Sequence, residues 1–129
     1  MIAEDAYPVM RNVISGSGGS VRYHADLKQW IMVYGPHFLD NKILMHTAPE
    51  LIGPWSQAIA IYTTPEMTPG SEKYNKNFSC YFGREHIQFY DRSDKRLLIT
   101  YDSSTNNFSD LVANLEIYFP KVVSIAVPK

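Results

Sequence analysis

Proline is the residue that most restricts this chain. Pro8, Pro36, Pro49, Pro54, Pro65, Pro69, Pro120 and Pro128 are spread from one end to the other. Each lacks an amide proton and crowds the preceding helical turn, so few intervals leave room for a long helix. The helix candidate is Ser109 to Asn114, about one and a half turns, a length that is marginal without tertiary support. Nine Tyr, six Phe and two Trp make 13% of the residues aromatic, which suits the pleated, half-buried surface of a strand. The expected fold class is all-β, built from short antiparallel strands.

Two sets of strands are expected. The first comprises Val21 to His24, Trp30 to Tyr34, Lys42 to Thr47 and Ala58 to Thr63. The second comprises His86 to Tyr90, Leu97 to Tyr101, Leu115 to Phe119 and Val122 to Val127. Most are bounded by Gly, Pro, Asn, Asp or Ser, as short antiparallel strands are. Ser15-Gly16-Ser17-Gly18-Gly19-Ser20 reads as a flexible approach to the first set. Thr64 to Asn77 reads as a long surface loop between the sets. The 129 residues amount to one domain or part of a larger one, divided here into units spanning 18–64 and 78–127.

The sets resemble each other. Val21-x-Tyr23, a polar turn and Ile31-x-Val33-Tyr34 are matched by Ile87-x-Phe89, a polar turn and Leu98-x-Thr100-Tyr101. Tyr34 and Tyr101 are 67 apart (101 minus 34), and Val21 and Ile87 are 66 apart (87 minus 21). A repeated four-stranded meander is the unit of a β-propeller blade. A blade buries its faces against neighbours, so about two of them call for further blades or for self-association. The alternative is a closed β-sandwich of eight strands.

Charge excludes some partners. Lys plus Arg is 12 against 13 Asp plus Glu, a net charge of −1. So even a balance gives no basic face for nucleic acid or an anionic membrane. No apolar run reaches the roughly 18 residues of a transmembrane helix. Met1-Ile2-Ala3-Glu4-Asp5 is acidic and does not read as a secretory signal, and localisation stays open. The single cysteine, Cys80, excludes an internal disulfide and a cysteine-based zinc site. His24, His37 and His46 are not spaced as a ligand cluster, so no metal or cofactor is expected. Gly16-Ser17-Gly18-Gly19 lacks the following Lys-Ser/Thr of a phosphate cradle. Asn77-Phe78-Ser79 and Asn107-Phe108-Ser109 fit the glycosylation acceptor pattern.

One stretch carries a family resemblance. Ser20-Val21-Arg22-Tyr23, Trp30-Ile31-Met32-Val33-Tyr34, His46-Thr47-Ala48, Leu51-x-Gly53-Pro54-Trp55-Ser56 and Ile61-Tyr62 resemble one blade of the glycosidase-type five-bladed propellers. More narrowly, they resemble the family catalogued as domain of unknown function 4185. Cys80-Tyr81, Ile99-Thr100-Tyr101 and Tyr118-x-Pro120-Lys121-Val122-Val123 are similar to the end of that family's domain. The resemblance implies a five-bladed propeller, a polysaccharide or oligosaccharide ligand, and kinship with endo-acting D-arabinanases. It also implies a family whose members are often secreted. The aspartates that early blades contribute in such enzymes have no counterpart here, so catalysis by this chain alone is not expected.

Glycoside hydrolysis needs two carboxyl groups flanking the scissile bond, one protonated and one ionised. Asp26 and Asp94 fall in turns, where Asp satisfies local amides, and Glu66 and Glu72 fall in the long loop and are expected to be solvated. Glu85, just ahead of an expected channel-lining strand, is the catalytic candidate; the alternative is a surface pair with Arg84. If Asp91 faces Leu97 across the hairpin, His86 faces Asp102, since both pairs sum to 188. Such a pair could orient the imidazole for a ligand or a proton, which adds Asp102 as a catalytic candidate and His86 as a ligand-binding one. Arg22 could clamp a hydroxyl or carboxylate, or form an inter-strand ion pair. Trp55 and Tyr81 offer flat faces for a sugar, or for packing between blades. The expected function is that of a carbohydrate-active protein of glycoside-hydrolase type, completed by further blades. The alternative is a non-catalytic module that binds glycan or protein.

Overall fold

The computed structural model describes residues 9–10, 18–35 and 40–128. The Met1 to Asp5 start, Pro8, residues 15–17 of the Gly/Ser approach, Pro36 and His37 lie outside the described residues. The chain is all-β. Strands β1 (Gly19–His24), β2 (Gln29–Tyr34), β3 (Lys42–Ala48) and β4 (Ile59–Thr63) form one antiparallel sheet in chain order. Strands β5 (Phe78–Glu85), β6 (Arg96–Thr105) and β7 (Lys121–Ala126) form a second, also in chain order. Helix α1 (Phe108–Ala113) follows β6, and 3₁₀ turns cover Pro65–Met67, Ile87–Phe89 and Leu115–Tyr118. Among the described residues no helix is long and apolar enough to cross a membrane.

The first sheet follows its alternation. Ile31 and Val33 of β2 and Ile43 and Met45 of β3 face inward at 0–1% exposure. Each is flanked by less buried residues, so the period of two sets which face is covered. A tight turn at 25–28 joins β1 to β2, with Lys28 in the left-handed region at φ 53°. In the second sheet Leu97, Ile99, Tyr101 and Ser103 of β6 are buried on one face. Leu97, Ile99 and Tyr101, with Cys80 of β5, meet Ile31, Val33, Ile43 and Met45 in one apolar cluster between the sheets. Burying a side chain of this size stabilises by about 1.5–3 kcal/mol, so this seam dominates cohesion.

The second sheet departs from expectation in three ways. It has three strands, not four. Leu115 to Phe119 is a 3₁₀ turn because the Asn114 side chain accepts from the Glu116 amide at 2.9 Å and Pro120 follows. His86 to Tyr90 is not a strand either: Ile87–Phe89 turns, and the strand is the segment before it, β5. The expected pairing of His86 with Asp102 is therefore wrong. Tyr81 pairs with Asp102, a sum of 183, and Arg84 with Thr100, a sum of 184, across a bulge between Tyr81 and Arg84. Asp91 bridges Arg96, a sum of 187. The difference of three from 184 to 187 equals the length of the Ile87–Phe89 turn, which the simple hairpin count ignores.

The bulge has a steric cause. Phe82 sits at φ 55°, and beside it Gly83 passes against Gly35 at the end of β2. A Cβ on Gly83 would lie 2.6 Å from the Gly35 Cα, and one on Gly35 would lie 2.5 Å from the Gly83 nitrogen. Two bare backbones thus touch where the sheets cross, and no flexible side chain can yield. Gly83→Ala should lower the unfolding free energy by about 1–3 kcal/mol through this overpacking, read as a reduced urea midpoint. An unchanged midpoint would mean the contact is not close-packed.

Candidate functional site

The bulge opens a groove on the outward face of the second sheet. Its volume is about 240 Å³, and Phe82, Arg84, His86, Thr100 and Asp102 line it. Thr100 and Asp102 alternate with the buried Ile99 and Tyr101, so they point away from the core. The His86 amide donates to the Leu98 carbonyl at 2.9 Å, which fixes the residue at the end of β5. Its ring Nε2 lies 2.8 Å from the Thr100 hydroxyl. Asp102 is the cross-strand partner of Tyr81. Burial, and then the Asp102 carboxylate and the Tyr118 and Cys80 side chains, hold the Tyr81 hydroxyl above the ordinary phenol range, so it remains a donor. The groove thus combines a carboxylate, an imidazole, a guanidinium, a hydroxyl and an aromatic ring.

The structure brings His86, Asp102 and Tyr81 to this face. It does not bring the other candidates. Glu85 is 1% exposed and lies in the interior, where its Oε1 is 2.8 Å from Nε2 of the equally buried His24. The approach is close but falls short of a hydrogen bond, and His24 Nδ1 and Glu85 Oε2 have no partner among the described residues. The expected surface pair of Glu85 with Arg84 is therefore absent: the two point to opposite sides of β5. The Glu85 amide donates to the buried Ser20 hydroxyl at 2.8 Å, tying β5 to β1. The Tyr90 ring caps His24 edge-on at 4.6 Å, and its hydroxyl donates to Asp26 at 2.9 Å. Arg22 is exposed and donates to the neighbouring Val21 carbonyl at 3.0 Å, rather than to a carboxylate. Trp55 lies in the 49–58 loop with its indole nitrogen buried, packed against Gly53.

Several polar groups escaped the sequence reading. Glu66, expected to be solvated, is 5% exposed. Pro65 starts a turn that aims its carboxylate inward, where it accepts from the Tyr101 hydroxyl at 3.0 and 3.3 Å. Burial, and then the Glu66 carboxylate, keep that hydroxyl above the usual phenol range. Burial likewise pushes the Cys80 thiol up to about 11, with Thr64 acting the other way and Glu66 reinforcing it. Lys121 Nζ donates to the Ser103 hydroxyl at 2.8 Å and to the Ile117 and Glu116 carbonyls at 2.5 and 3.3 Å. Burial lowers its basicity, while Glu66, Cys80 and Asp102 act the other way. Both glycosylation-pattern asparagines serve the fold: Asn77 and Asn107 donate to the Asp110 carboxylate at 3.3 Å each, beside Asn75 at 3.2 Å.

The fold and this groove define a class: an all-β chain of two packed antiparallel meanders, with polar chemistry on a bulged edge strand. No family model matches the chain, and no curated protein matches it. A solved structure does: a protein from Bacteroides ovatus ATCC 8483, provisionally assigned as a hydrolase, superposes with a TM-score of 0.67 at 19% identity. The match covers 91% of this chain and 28% of that one, so the chain spans little more than a quarter of its neighbour's length. At this identity the likeness is one of fold.

The buried contact yields a test. Removing one member of a buried pair leaves the other uncompensated, at a cost of about 3 kcal/mol or more. Glu85→Ala should lose about that much stability in urea unfolding, and His24→Leu combined with Glu85→Leu should recover most of it. A Glu85→Ala protein as stable as the parent would show that the pair contributes nothing to the fold.

Proposed function

We propose that this chain is part of a carbohydrate-active protein of glycoside-hydrolase propeller type, and that the groove at the β5 bulge binds a sugar chain. The carrying observation is the convergence of Arg84, His86, Thr100 and Asp102 around one opening of about 240 Å³. In this reading Asp102 accepts sugar hydroxyls or acts as one of the two carboxyl groups that hydrolysis needs. His86, held by Thr100, exchanges a proton or a hydrogen bond with the same sugar. Phe82 and Tyr81 supply apolar faces for the ring.

The propeller part rests on how the repeat meets the sheets. Lys28 and Lys95 both take the left-handed conformation, at φ 53° and 51°, and are 67 apart (95 minus 28). The same offset aligns Trp30, Met32 and Tyr34, on the side of β2 opposite Ile31 and Val33, with Leu97, Ile99 and Tyr101, on the inward face of the second sheet. This relation supports the blade reading, because blades stack in one sense. The likeness to a longer protein provisionally assigned as a hydrolase supports the hydrolase part of the reading.

Among the described residues that line the groove, Asp102 is the one carboxylate, so in this reading cleavage calls for a second from elsewhere. That observation favours a rival reading, a non-catalytic glycan-binding module, for the chain acting alone. The test is to incubate the protein with D-arabinan and other polysaccharides, measuring both bound ligand and released reducing ends. Asp102→Asn should weaken binding by about tenfold, the effect of losing a charged hydrogen bond. Binding without release would favour the module. Neither binding nor release from any polysaccharide would end the carbohydrate reading.

A further inference from the structure

A second opening lies on the other side of β6, at the junction of the Pro65–Met67 turn, the Leu115–Tyr118 turn and β7. It measures about 320 Å³, and Glu66, Lys73, Phe78, Ser103, Asn114 and Glu116 are among its lining residues. This volume reaches the lower range of small-ligand clefts. Tyr101 and Ser103 alternate with Thr100 and Asp102 along β6, so this cavity and the bulge groove belong to opposite faces of the sheet.

The chemistry of the walls selects the ligand. A carboxylate offers about four acceptor sites. Glu66 uses them on the Tyr101 hydroxyl, shared between both oxygens, and on the Cys80 thiol at a distant 4.0 Å. Glu66, 5% exposed, also lines the cavity, and these contacts leave part of its acceptor capacity unused. Lys121 is the reverse case. Its three protons already meet Ser103, Ile117 and Glu116, so it does not recruit an anion. The Asn114 side-chain oxygen is committed to the Glu116 amide, which leaves its NH₂ as a donor. Among the described residues the lining carries two carboxylates and two ammonium groups, from Glu66, Glu116, Lys73 and Lys121. This balance favours neither a cation nor an anion. Phe78 adds an apolar wall.

We infer that this cavity is a second ligand site, taking one ring of a neutral polyol whose hydroxyl donates to Glu66 and whose oxygen accepts from Asn114. The ring's C–H face lies on Phe78. The site does not depend on the groove, and either can fail without the other.

The experiment is an NMR titration of the whole chain with methyl β-D-glucopyranoside and with methyl α-D-arabinofuranoside. Sodium acetate and methylammonium chloride serve as charged comparators. The expected result is saturable shifts of the Ile117 methyls and the Asn114 side-chain amide with at least one glycoside. Glu66→Gln should weaken that binding by about tenfold or more, with the thermal midpoint kept near the parent's. Should Glu66→Gln fail to fold, Asn114→Ala at the rim carries the test, with an affinity loss of several fold. The inference is overturned if neither glycoside moves these signals up to its solubility limit, if a charged comparator binds there more tightly than both glycosides, or if a folded variant binds as well as the parent. Shifts confined to the His86 ring and the Thr100 methyl would sink this site while leaving the groove reading intact. Shifts at Ile117 and Asn114 alone would do the opposite.

Discussion

The seam between the two sheets governs everything else in the molecule. Ile31, Val33, Ile43 and Met45 on one side meet Cys80, Leu97, Ile99 and Tyr101 on the other. Apolar burial is non-directional, so it holds the layers together without deciding how they align. Alignment comes from contacts that tolerate no slack. Gly35 and Gly83 bring backbone against backbone, and the Glu85 amide reaches the Ser20 hydroxyl across the sheets. These fix where β5 must depart from regular pairing, and the departure shapes the groove. Site and seam are thus two results of one crossing geometry.

The polar interior follows the same logic. Burying ionisable groups costs free energy unless partners compensate. His24 lies against Glu85, and Glu66 accepts from Tyr101 of the seam. The first pair is closed off by Tyr90 and serves cohesion. The second borders open volume. Two carboxylates of similar burial therefore differ in what they can reach, and access, not burial alone, separates a packing role from a binding one.

Much of this architecture was legible in the sequence, and the failures have identifiable causes. β1 to β4 could be read because they are rich in apolar and aromatic residues and Gly, Pro or Asp bounds them, although burial alternates regularly only along part of β2 and β3. β5 could not, because a bulge, a left-handed Phe82 and Gly83 break the period of two. Leu115, Ile117 and Phe119 alternate like a strand, yet Asn114 caps a turn there and only Ile117 is buried. His86, Asp102 and Tyr81 reach one face despite a wrong register, because Thr100 draws the His86 ring across. Glu85 was misplaced by position: next to a site in sequence, it points to the opposite side of the strand. Glu66 looked like a loop residue, and only the Pro65 turn and its contact with Tyr101 show where it goes. Tertiary contacts of this kind leave no local signature.

The shared offset of 67 residues gives the two meanders a polarity. Units that join by unlike faces have no built-in stopping point: they either curve round until the last meets the first or continue as a fibre. Val122, 59% exposed, lies on the outward side of the second sheet, and Tyr23, 44% exposed, on that of the first. The spacing between these two layers is set where nothing larger than two glycines, Gly35 and Gly83, is in contact.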